Sequence, residues 1–121
     1  MSLVILNRQR AIRFDRKTVA LRLEAVVRAA GVEDREVALV FLSDAAIHRM
    51  NRKWRGIDRA TDCISFAACE GEGAQYAGSV LGDIFISLQT AERQARGSIE
   101  DEVVALFAHS LLHLMGHDHG T

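Results

Sequence analysis

Four of the five histidines in this 121-residue chain fall between positions 109 and 119. His109 and His113 are four residues apart, so on a helix their imidazoles lie on one face, one turn above the other. Gly116 follows, and a glycine after a helical run is the usual residue for a left-handed turn that ends a helix. The chain is therefore expected to double back at Gly116 and bring His119 to the same point. Three imidazoles with an open fourth position are the donor set of catalytic zinc, so one divalent ion, zinc, is the expected cofactor. His117 fits less well as the third donor. On a straight helix it would stand about 12 Å along the axis from His109, too far for two arms that bond the metal at about 2.1 Å.

His-x3-His-x2-Gly-x2-His is also the spacing of metzincin peptidases, in which a glutamate after the first histidine serves as general base. That position is Ser110 here. A serine without a base of its own cannot take a proton from water at neutral pH, which counts against peptidase chemistry. The fuller pattern His109-x3-His113-Leu-x-Gly116-x-Asp118-His119 resembles the signature of the YbeY family, bacterial metal-dependent endoribonucleases of rRNA maturation. The stretch from Met50 to Phe66, with Asn51, Arg55, Asp58, Thr61, Asp62 and Ser65, is similar to a second block of that family. Leu81 to Ser87 is similar to its Gly-Asp-Ile strand. The matches span about residues 36 to 120. Departures are Ala60 and Ala67 where the family has proline, and His117 where it has tyrosine. The family continues past the third histidine into a further helix, so residues 116–119 are expected to be held mainly by the metal and the glycine turn.

The resemblance implies a functional arginine at Arg55. A guanidinium there can hold a phosphate through two hydrogen bonds and offset transition-state charge. Asp118 is expected to orient a ligating histidine, ahead of capping the turn or accepting a proton. His117 and His48 read as solvent-side residues. Thr61, Asp62 and Ser65 are expected to hold the loop that carries Arg55, and Asp83 to cap or tie neighbouring backbone.

Charge is divided unevenly along the chain. Residues 1–60 carry 13 of the 15 basic side chains against 7 acidic ones, and the remainder carries 2 against 9. Such a basic half attracts a polyanion even though net charge is only −1. The densest cluster, Arg49, Arg52, Lys53 and Arg59 around Trp54, is the expected RNA-binding surface. The resemblance to the YbeY family implies single-stranded RNA of an rRNA precursor as the partner, with the ribosomal subunit or its proteins as further partners. Two other functions fit the same residues: a ribosome-assembly factor whose metal only braces the fold, and a different metal-dependent hydrolase.

These side chains need a scaffold, and the length fits one domain over residues 1–121. Hydrophobic content is 49%, ordinary for a globular protein. The longest apolar stretch, 103–115, is too short to span a bilayer. The start lacks a secretory leader, so a cytoplasmic protein is expected. Cys63 and Cys69 match no metal or redox spacing and are expected to be reduced, without a disulfide-linked partner. Apolar periodicity and capping residues predict strands at 3–7, 37–42, 63–67 and 80–87. They predict helices at 16–30, 45–54, from 88 to near Gly97, and 99–115. The expected fold class is α/β (α+β), a small mixed sheet covered by helices, and the resemblance implies a zincin-like metal helix near the C-terminus.

Overall fold

The near-continuous apolar run of residues 37–42 has the composition of a strand buried on both faces, and it lies at the centre of the sheet. A computed structural model describes residues 3–68 and 79–118, with side chains described as far as Gly116. The elements in chain order are β1 (Leu3–Asn7), α1 (Arg16–Ala29), β2 (Glu36–Leu42), α2 (Asp44–Arg55), β3 (Cys63–Ala67), β4 (Val80–Ser87), α3 (Leu88–Gln94) and α4 (Ile99–Asp118). The sheet has the order β1-β2-β4-β3. Its first three members are parallel, and β3 pairs antiparallel with β4 as an edge. The mixed α/β architecture expected from the sequence is what forms.

Alternation along the strands divides the sheet into two unlike faces. Val37, Leu39 and Phe41 of β2 and Ile84 and Ile86 of β4 pack with α1 (Val19, Leu23, Val27) and α4 (Val103, Phe107, Leu111, Leu114) in the main core. Val40, Leu42 and Ile64 point the other way and meet α2, through Ile47 and partly buried Ala46 and Met50, with Ala60 of the following loop. Toward β1 that second face stays open, with Val4 and Leu6 exposed. Burial of aliphatic side chains at about 1.5–3 kcal/mol each makes the α1/α4 face the main source of stability.

Local signals set the helix ends. Asp15, Ser43, Ser87 and Ser98 each accept a hydrogen bond from the backbone N–H three residues on, as capping residues do. Gly82 of β4 has a positive φ, and a Cβ there would collide with the Phe66 carbonyl oxygen and press on Leu114 of α4. Glycine at this position is what lets α4 seat against the sheet. Among the described residues, no helix is long and apolar enough to cross a membrane.

One expectation is corrected. The helix does not turn at Gly116; α4 continues to Asp118. Each further residue of an established helix closes another hydrogen bond, while an interior glycine costs about 1 kcal/mol relative to alanine, so propagation can pass through it. The reversal expected at Gly116 is therefore not formed there, and His119, the expected third donor, lies outside the described residues, as does Cys69.

Candidate active site

α4 is amphipathic around its metal-type donors. Val103, Phe107, Leu111 and Leu114 are almost fully buried, whereas His109 and His113 are exposed on the flank of the helix. Both imidazoles open into a cavity of about 260 Å³ whose other walls are Arg55, Cys63, Ile64, Ser65 and Ser110. The edge strand β3 thus forms one wall, α4 the second and the end of α2 the third. Arg55 and the histidine pair, 54 and 58 residues apart in sequence, share one space.

Arg55 is the last residue of α2, and Gly56 follows in the left-handed conformation at φ 71°. The Gly56 N–H bonds the Arg52 carbonyl at 3.2 Å and the Ile57 N–H the Asn51 carbonyl at 3.3 Å, a glycine-terminated helix end. The following loop is then clasped back. Buried Asn51 donates from Nδ2 to the Arg59 carbonyl at 2.9 Å, and its Oδ1 has no hydrogen-bond partner among the described residues. His48 Nε2 contacts Asp58 Oδ1 at 2.8 Å. Asp62 accepts from its neighbour, the Cys63 N–H, at 2.7 Å and from Gln94 Nε2 of α3 at 2.9 Å, while its carbonyl accepts from the Ser87 N–H.

Asp62 therefore ties the loop to α3 and to the end of β4, whereas Thr61 makes only a long 3.5 Å contact to its neighbour Asp62. Ser65 lines the cavity instead. His48, read from sequence as an idle surface residue, ties the loop. Asn51 and Gly56 were not identified as site residues; the signal for Gly56 was a glycine directly after a basic helical run.

Ser110, in the position of the peptidase glutamate, is 3% exposed. Its hydroxyl donates to Cys63 Sγ at 3.6 Å, into the β3 wall. Burial pushes the Cys63 thiol up, assisted by the charge of Asp62 and opposed by Ser110 and Arg55. It is thus a neutral wall group at pH 7. Asp83 does not tie neighbouring backbone: it has no hydrogen-bond partner among the described residues and sits on the α2 face, in a second cavity with Met50, Trp54, Phe66 and Phe85. Apolar surroundings raise its carboxyl above the usual range, although the side chain still reaches water.

A second tie lies at the start of α2. Asp44 accepts from Ser87 Oγ and Thr90 Oγ1, each at 2.6 Å, and pairs with Arg93 at 2.8 Å. Burial alone would raise this carboxyl, but the three donors and the Arg93 charge together hold it below its ordinary value. Arg49, Arg52, Lys53 and Arg59 are exposed on α2 and its loop.

No group of three metal-type donors is complete among the described residues, which supply two imidazoles. Those two fit a divalent ion by type and spacing: neutral nitrogen donors four residues apart on one rigid helix, facing a polar cavity.

A mixed sheet with an imidazole-bearing helix laid beside its antiparallel edge strand, and an arginine across the cavity, defines a small α/β domain of the metal-dependent hydrolase type. Comparison with known proteins makes the class specific. The family model described as "Endoribonuclease YbeY" matches residues 4–121. An Endoribonuclease YbeY of Pelotomaculum thermopropionicum is 43% identical, over 98% of this chain and 84% of its own. One of Syntrophus aciditrophicus is 36% identical over 98% and 76%. The solution structure of TM1509 from Thermotoga maritima superposes with a TM-score of 0.64 at 26% identity, over 94% of this chain and 72% of that one. The chain belongs to the YbeY endoribonuclease family.

Proposed function

We propose that this protein is a metal-dependent endoribonuclease that cuts single-stranded RNA during rRNA maturation in the cytoplasm, with the ribosomal subunit or its proteins as further partners. The observation that carries the reading is the convergence of Arg55, His109 and His113 on one cavity. His109, His113 and His119 would hold the ion, which we assign as zinc from the imidazole donors, and Asp118 would orient one of them. When bound, such an ion polarises a phosphoryl oxygen and makes water more acidic.

The chain's own residues do the rest. Arg55 grips the scissile phosphate with a planar pair of N–H groups and offsets the charge that builds on it. Arg49, Arg52, Lys53 and Arg59 draw the strand in by phosphate contacts, which makes binding steeply salt-dependent. Ser110 lines the cavity with its hydroxyl turned to Cys63 Sγ, and a serine without a base of its own is no proton acceptor at neutral pH, which favours phosphoryl chemistry over peptide hydrolysis.

Arg55→Ala should lower cleavage by roughly 10²–10³-fold, as loss of one transition-state donor does, with fold and metal content unchanged. Arg55→Lys should recover only part, since an ammonium cannot form the two-bond fork. Cleavage of a short labelled RNA by metal-loaded protein checks this. An Arg55→Ala protein that cuts at the parent rate removes Arg55 from the mechanism.

A further inference from the structure

The sheet has a second cavity, on the face opposite α4. It measures about 290 Å³ and is lined by Met50 and Trp54 of α2, Phe66 of β3 and Asp83 and Phe85 of β4. Phe66 and Phe85 meet edge to face with ring centroids 6.0 Å apart. Trp54 is the single tryptophan of the chain and is 63% exposed, an uncommon place for so large an apolar ring. The Lys53 ammonium lies 5.0 Å from the centroid of that ring, so charge and aromatic surface are presented together.

Position relative to the cleavage pocket gives the cavity its meaning. Trp54 and Arg55 are consecutive, and consecutive helix residues diverge by about 100°. Arg55 faces the pocket of His109 and His113, while Trp54 faces the opposite side of the edge strand. On β3, Cys63 and Ser65 line the first cavity, Phe66 lines the second, and Ile64 borders the first although it packs toward α2. A strand of RNA whose phosphate sits on Arg55 and which passes round β3, the edge of the sheet among the described residues, brings a neighbouring nucleotide to Trp54.

Resting on the proposed RNA-cleaving function, we propose that this second cavity is a nucleobase subsite: Trp54 stacks one unpaired base near the cleaved bond, and Asp83 accepts hydrogen bonds from its edge. Charge complementarity favours this occupant, because Arg49, Arg52 and Lys53 project from the same short helix and suit a polyanion. Single-stranded RNA is recognised by stacking splayed bases on aromatic rings and bonding their Watson–Crick edges. A carboxylate with no hydrogen-bond partner among the described residues selects a base with adjacent N–H donors, and guanine has two side by side on that edge. The expected preference is a guanine near the cleaved bond.

Trp54 is its own reporter. Metal-loaded protein is mixed with nine-nucleotide single strands of uridine carrying either guanine or uracil at the centre. Trp54 emission and the anisotropy of a labelled strand are read in the first seconds, before cleavage accumulates. Expected are saturable quenching by the guanine strand, roughly 5- to 100-fold weaker binding in Trp54→Ala, and loss of the guanine preference in Asp83→Asn, with circular dichroism unchanged in both. Binding by anisotropy with Trp54 emission unmoved, or a Trp54→Ala protein that binds as the parent does, overturns the subsite and leaves the cavity to a protein partner. Equal binding of both strands overturns the role of Asp83. Failure of either strand to bind at all overturns the RNA reading itself, which keeps the two failures apart.

Discussion

The two sides of the candidate site are held by different forces. On the α4 side, His109 and His113 ride on a helix whose inner face, Val103, Phe107, Leu111 and Leu114, is almost fully buried. On the α2 side, Arg55 stands at a helix end next to a loop held by hydrogen bonds from Asn51, His48 and Asp62. Apolar packing is stiff and non-directional, whereas a few polar contacts fix a position at small individual cost. Donor spacing is thus tied to global stability, and the placement of the arginine can change with the fold intact.

The largest effect that would sharpen this contrast is expected from Phe107→Ala. A fully buried phenylalanine removed from the main core should cost about 3–5 kcal/mol, read as a lower denaturation midpoint. Metal affinity and activity should disappear with the fold rather than before it. A folded Phe107→Ala protein that had lost only its metal site would mean that α4 is positioned by something other than this core.

Asn51→Ala is expected to cost less in stability, about 1–2 kcal/mol, because the lost Arg59 contact is partly compensated by removal of the unpartnered Oδ1. Its turnover should nevertheless fall with metal binding unchanged, since the loop behind Arg55 is released. Equal kcat in parent and variant would show that the clasp serves the fold alone and break the contrast.

The smallest effect concerns acid. Asp44 is held below its ordinary 3.8, so its ionised form is favoured by folding. The stability it contributes is present above that ordinary value and is lost as pH falls through the lower folded one. The difference in melting temperature between parent and Asp44→Asn should therefore be full at pH 7 and shrink as pH drops below about 3.8. A difference that is flat with pH would mean that the contacts to Ser87, Thr90 and Arg93 do not depend on charge.

Most of the scaffold was legible because its signals are local. β1, β3 and β4 follow from alternation or apolar runs bounded by polar residues, and α1 and α4 begin at capping side chains. The histidine pair was legible for the same reason, since four residues on a helix define a direction. The clasp on Arg55 was not. It joins Asn51 to Arg59 and Asp62 to Gln94, and no periodicity encodes which polar side chain will reach which backbone group across a turn. The end of α4 was misread for a related reason: glycine permits a left-handed stop without requiring one, and α4 runs on to Asp118.

The N–H of Asp15 donates to Glu100 at 2.8 Å, and Arg22 pairs with Asp101 at 2.7 Å, joining residues 85 and 79 positions apart. Contacts that distant in sequence close slowly. During synthesis the arginine-rich half leaves the ribosome well before α4 does, and the apolar inner face of the sheet has only α1 as cover until α4 arrives. A growing chain can therefore carry most of its basic surface, and attract RNA, while the histidines that would complete the cutting site are still unplaced. Because those histidines lie on the helix that closes the core, the capacity to cut is switched on by the completion of folding.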